Sequence, residues 1–89
     1  MKTEFRKSFA KDLKKIKDKS LLTKLKSAIE AVEAADTLSS ISNLKKLKAE
    51  GDYYRIRVGD YRIGLMLNAG SFIFIRCLHR REIYRYFPD

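Results

Sequence analysis

The 89 residues contain one cysteine, one histidine, one proline and no tryptophan. Cys77 alone rules out an internal disulfide and suits a reducing compartment. With His79 it is far from a zinc-ligand set, so neither a metal nor another cofactor is expected. Long apolar runs are also missing. The opening MKTEFRKSFAKDL lacks a signal-peptide core, and no later segment approaches the roughly 18–20 apolar residues of a membrane span. The expectation is a soluble cytoplasmic chain forming one domain over residues 1–89. Acidic residues are the scarce charge, with 11 Asp and Glu against 20 Lys and Arg and a formal net charge of +9. Such an excess attracts polyanions without choosing a fold.

What is present reads in two halves. Lys2 to Arg6 can pair as a short strand. Ser8 is placed to cap a helix carrying Phe9, Leu13 and Ile16 at helical spacing, its other face lysine-rich. Ser20 opens a second helix to about Asp36, with Leu21 or Leu22, Leu25, Ile29 and Val32 as its buried stripe. Leu38, Ile41, Leu44 and Leu47 then fall every third position, which suits a helical turn followed by an extended crossing, with Lys45, Lys46 and Lys48 outside.

The last third reads as a meander. Tyr53–Val58 and Tyr61–Leu67 alternate around Gly59-Asp60, and a glycine first in a two-residue loop predicts a type II′ turn. That register sets Val58 opposite Tyr61. Tyr54, Ile56, Val58, Tyr61, Ile63 and Leu65 then face the helices, while Tyr53, Arg55, Arg57, Arg62, Gly64 and Met66 share the other face. Arg57 falls opposite Arg62 and Arg55 opposite Gly64. Like charges paired across strands are destabilising, so a compensating use is implied. Gly64 points the same way, since a glycine inside a strand weakens it but allows close approach of another backbone. A three-residue loop before the last strand, Phe72–Leu78, would turn Ile73, Ile75 and Cys77 inward and add Arg76 to the basic face. A four-residue loop would reverse this, and the former is preferred because it buries two isoleucines rather than an arginine. Guanidinium groups on every second strand position present a surface for an anion, most simply a phosphodiester. Tyr84 in LHRREIYRYF suits stacking on an exposed base. Histidine is the one side chain whose unperturbed pKa lies near neutrality, which makes His79 the candidate general base, with Glu82 and Tyr84 as alternatives. Tyr53, Tyr54 and Tyr61 read as packing residues, and Tyr86 and Phe87 as an aromatic plug at the sheet edge.

Three stretches in order, KSFAKDLKKI, LKKLK…YYRIRVGDYRIG and LHRREIYRYFP, resemble the RelE/ParE superfamily of toxin–antitoxin toxins across essentially the whole chain. The resemblance implies an α+β fold: two N-terminal helices packed on a small antiparallel sheet in the order β-α-α-β-β-β, with a short C-terminal helical tail. In its RelE-like branch the toxin cleaves messenger RNA in the ribosome, and in its ParE-like branch it inhibits DNA gyrase. Both branches have a cognate antitoxin. By position, the working residues of the RelE-like branch correspond here to Arg55, Arg57, Arg62, Arg81 (or Arg80) and Tyr84. On that basis Arg62 and Arg81 are expected to stabilise charge at phosphorus, and Arg55, Arg57, Arg76 and Arg80 to grip phosphates. Where some relatives carry a lysine pair this chain has arginines, which cannot pass a proton.

Overall fold

A computed structural model describes residues 1–88. The elements run β1 (Lys2–Phe5), α1 (Lys7–Lys14), α2 (Lys19–Ala34), a 3₁₀ turn (Leu38–Ser40), β2 (Leu44–Lys46), β3 (Tyr53–Val58), β4 (Tyr61–Asn68), β5 (Ser71–His79) and α3 (Arg80–Tyr86). The five strands form one sheet in the order β1-β5-β4-β3-β2. The expected antiparallel meander is its centre, and the sheet is mixed because β1 runs parallel to β5 along one edge. The opposite edge is β2, three residues of the extended crossing, which pairs with β3.

The helices begin differently from the sequence expectation. Asp18 caps α2, its carboxylate accepting from the Leu21 amide at 3.2 Å. Ser8 lies inside α1 and its hydroxyl donates to the Ile75 carbonyl. One turn on, Asp12 accepts the Cys77 amide at 2.9 Å. Residues i and i+4 on a helix face the same way. Ser8 and Asp12 therefore satisfy the edge of β5 just where β1 ends, and no open strand edge is left there. Asp12 stands on the apolar stripe of α1, between Phe9 and Ile16, and is 4% exposed.

One side of the sheet carries the main core. Phe9, Leu25, Val32, Ile56, Ile63, Leu65, Phe72 and Phe74 pack there, with Cys77. The β3–β4 register is the expected one, Val58 opposite Tyr61 and Arg57 opposite Arg62. Of the two turn residues only Gly59 has positive φ, at 59°, as a type II′ turn requires. The second turn corrects the expected three-residue loop: it has two residues, Ala69 (φ 50°) and Gly70 (φ 80°), between the Asn68–Ser71 pair. That shorter loop turns Phe72 and Phe74 inward in place of Ile73 and Ile75. Leu65 then pairs with Phe74 but Gly64 with Arg76, so Ile75 is a bulge that resets the alternation. Cys77 and Arg76 consequently land on the sides expected of them.

Burial pushes the Cys77 thiol from 9.0 up to about 12, with the Asp12 charge adding to the effect. A thiolate is the reacting species, so a disulfide reagent should modify Cys77 on the order of a thousandfold more slowly in the folded protein than in denaturant. Titration with a chromogenic thiol reagent tests this; equal rates would show the site opening freely. The fold favours the protonated thiol, so its contribution is complete below pH 9 and is lost as pH rises through about 12.

Candidate nucleic-acid interface

The other side of the sheet is only partly covered, by α3. Ile83 and Phe87 are buried there, and Phe87 stands edge-on to Tyr53 with centroids 5.6 Å apart. Gly64 makes this possible: a Cβ at that position would lie 2.7 Å from the Phe87 ring. The close approach expected at Gly64 is thus by an aromatic ring rather than by a backbone. The plug lies on the sheet face, and Tyr86, at its margin, is 44% exposed.

Paired positions set Lys45 beside Arg55, Arg55 beside Gly64, and Gly64 beside Arg76. This cross-strand row seats α3. Arg55 Nη1 donates to the Tyr84 hydroxyl at 2.6 Å, and its Cζ lies 5.1 Å from that ring's centroid. Phe87 covers Gly64, and the Arg76 guanidinium lies 5.6 Å from the Tyr86 ring. Helix and sheet are thus joined by two arginine–tyrosine contacts flanking one ring on a glycine.

Arg55, Arg57 and Arg62 line one shallow groove of about 490 Å³, walled by Asn43, Leu44 and Lys45 of the β2 edge. Arg62 Nη1 donates to the Gly59 carbonyl at 2.9 Å and the Tyr61 carbonyl at 3.0 Å, which fixes its head over the hairpin turn. Desolvation and the positive charges of Arg55 and Arg57 lower the Arg62 pKa. An arginine nonetheless remains charged at any physiological pH. Crowded cations of this kind are relieved by an anion.

The remaining candidates are dispersed. Arg76 is held by Asp12 in a bidentate pair, Nε to Oδ2 at 2.8 Å and Nη2 to Oδ1 at 3.0 Å. Its pKa is raised, first by that hydrogen bond. Arg80 points toward Asp60, with Nε 4.0 Å from Oδ1. Arg81 is exposed on the first turn of α3, three residues before Tyr84 and so on a neighbouring part of the same face. His79 caps α3, its Nδ1 accepting the Arg81 amide at 3.2 Å, and its ring stands edge-on to Tyr61. That bond leaves the imidazole proton on Nε2. Two participants were not singled out from sequence. Lys45 reads only as an outward lysine of the extended crossing, whose pairing with β3 beside Arg55 the sequence does not signal, and Asp12 was signalled only by its place on an apolar stripe.

A pair of helices thus covers one face of a mixed sheet, and guanidinium groups and a tyrosine stand on the other. Residues 3–84 match the family described as ParE toxin of type II toxin-antitoxin system, parDE. The chain is 44% identical to Toxin RelE3 of Methanocaldococcus jannaschii, over 99% of its own length and all of that protein. Among solved structures it superposes on the RelB-RelE antitoxin-toxin complex from Methanococcus jannaschii with a TM-score of 0.80 and 42% identity, covering 96% of this chain and 99% of that one. The archaeal RelE-RelB complex from Pyrococcus horikoshii gives 0.72 at 22% identity, covering 89% and 93%. The YoeB dimer from Staphylococcus aureus gives 0.71 at 19%, covering 89% and 95%, and these two likenesses concern the fold. The chain belongs to the type II toxin family of the RelE/ParE superfamily.

No helix among the described residues is long and apolar enough to cross a membrane.

Proposed function

We propose that this toxin is a ribosome-dependent messenger RNA endoribonuclease, held inactive by a cognate antitoxin that covers the arginine groove. The observation that carries the reading is the convergence of Arg55, Arg57 and Arg62 on one groove, with Tyr84 hydrogen-bonded to Arg55 at its rim. The retained arginine and tyrosine positions are what favour this reading over a gyrase inhibitor. Support for an antitoxin comes from the relatives solved in complex with theirs.

The chemistry is transesterification. The ribose 2′-oxygen attacks the adjacent phosphorus as its proton leaves, the bond from phosphorus to the 5′-oxygen breaks, and that oxygen takes up a proton. The products are a 2′,3′-cyclic phosphate and a 5′-hydroxyl. Arg62, anchored by two carbonyls, offers its remaining donors to the phosphoryl oxygens as they gain charge. Arg55 and Arg57 hold flanking phosphates, and Arg81, exposed on the first turn of α3, is assigned the same charge-stabilising task as Arg62. The Tyr84 hydroxyl accepts from Arg55 and keeps its own proton as a donor toward the leaving oxygen. Arg76 and Arg80, each turned toward a carboxylate, lie outside this set. His79 presents Nε2–H, so its use as a base requires the α3 cap to open. In-line alignment of the message on the ribosome supplies much of the acceleration, and a weak proton acceptor then suffices.

Primer extension on transcripts after brief induction, with and without a translation inhibitor, tests the proposal. Discrete cuts that vanish when translation stops are expected. Growth arrest with uncut transcripts and loss of DNA supercoiling would place the chain with the gyrase inhibitors instead.

A further inference from the structure

Beside the arginine groove lies a second cleft, between the β2–β3 loop and α3, and Arg55 is common to both. Leu47, Ala49, Ile83 and Phe87 form its apolar floor, with Tyr84, Arg55 and Lys48 at the rim. Its volume of about 310 Å³ sits at the lower limit for small-molecule pockets, around 300 Å³, which suits one flat ring system rather than a peptide helix.

The loop that walls this cleft is held in place. The Lys46 ammonium lies 3.2 Å from Asp52 across its base. The Leu47 amide donates to the Tyr53 carbonyl at 2.9 Å, and Gly51, at φ 92°, lies against the Tyr53 ring. An apolar slot joined through an arginine to a phosphate groove has the layout single-stranded RNA requires. Its backbone runs over cations while an unstacked base turns into an apolar or aromatic site.

We propose that this cleft is a nucleobase pocket, and that Lys48 makes it prefer uracil and guanine over cytosine and adenine. The reading rests on the arginine groove holding a ribose–phosphate backbone. The Lys48 and Arg55 side chains are donors without acceptors. Uracil, like thymine, presents a carbonyl where cytosine presents an amino group, and guanine presents O6 and N7 where adenine presents an amino group beside N7. The Lys48 and Arg55 donors pair with the former of each couple, and the amino group of the latter would face a cation. The Tyr84 ring, 73% exposed at the rim, supplies base-independent affinity.

Anisotropy with labelled, uncleavable 2′-O-methyl hexanucleotides and the intact protein tests this without need of the ribosome. Homopolymers remove the question of register. The U hexamer is expected to bind about fivefold or more tighter than the C hexamer, and both tighter than an abasic hexamer by roughly 5–150-fold, the range of one stacked base. Lys48→Met should erase the U-over-C difference and Lys48→Glu should invert it, while Ala49→Trp, filling the floor, should reduce the U hexamer to the abasic level. Both positions are exposed loop sites, and circular dichroism checks that the variants fold. Equal binding of U, C and abasic hexamers by the unmodified protein overturns the pocket and leaves the arginine groove standing. If no hexamer binds, the groove reading falls and takes this one with it.

Discussion

Replacing Asp12 with alanine should remove about 3 kcal/mol from the stability of the fold, the lower end of the 3–5 kcal/mol typical of breaking a buried ion pair. Three donors converge on this one carboxylate: Nε and Nη2 of Arg76 and the amide of Cys77. The Asp12 side chain is 3% exposed and that of Arg76 25%. Arg76 therefore recovers some water when its partner is lost, which sets the estimate low in the range. The Cys77 amide does not, because it lies at the sealed edge of β5 under α1. A single small domain has only about 5–15 kcal/mol in total, so the variant should unfold at a visibly lower urea midpoint. Asp12→Asn, which keeps an acceptor for the amide but loses the charge, should fall between. The double variant Asp12→Leu with Arg76→Met should recover much of the loss, since removing both charges leaves nothing uncompensated. A loss below about 1 kcal/mol for Asp12→Ala would mean the pair is solvated and does not join α1 to the sheet.

That pair also marks where the sequence stops being legible. The central hairpin could be read residue by residue, because a two-residue glycine turn fixes register and strict alternation then fixes both faces. Arg57 opposite Arg62 followed from the turn alone. The last strand could not be read the same way. Its period of two is interrupted at Ile75, and a bulge changes which side chains face the core without changing composition. Two isoleucines and two phenylalanines competed for the inward positions, and hydrophobicity does not rank them. The decision came from Ala69 accepting positive φ beside Gly70, which closes the turn in two residues. At the site, the arginines on β3 and β4 were visible because they break an apolar alternation. Which arginines act together was not, since partner choice is a tertiary matter. Asp12 draws Arg76 aside, and Asp60 draws Arg80. The role of Gly64 was legible as a demand for closeness, but the ring that answers it lies 23 positions later, at Phe87.

Arg62→Ala should move activity and stability in opposite directions. On the proposed chemistry, loss of one prealigned donor to a charge-developing oxygen lowers the cleavage rate by about 10²–10³. The same change removes the like-charge opposition with Arg57, the direct cross-strand partner, and the crowding by Arg55. Cross-strand pairs contribute on the order of 0.2–1 kcal/mol, so the variant should be no less stable than the parent and up to that much more so. The two carbonyls it vacates, on Gly59 and Tyr61, sit at an exposed turn where water replaces the guanidinium. Arg62→Lys should keep the charge and the repulsion yet lose most activity, because an ammonium cannot hold two carbonyls and still present a fork to phosphate. Ribosome-programmed cleavage assays paired with thermal melts of the same preparations decide the matter. A variant that melts well below the parent would make Arg62 a structural residue. One that folds normally and cuts at the parental rate would remove it from the chemistry.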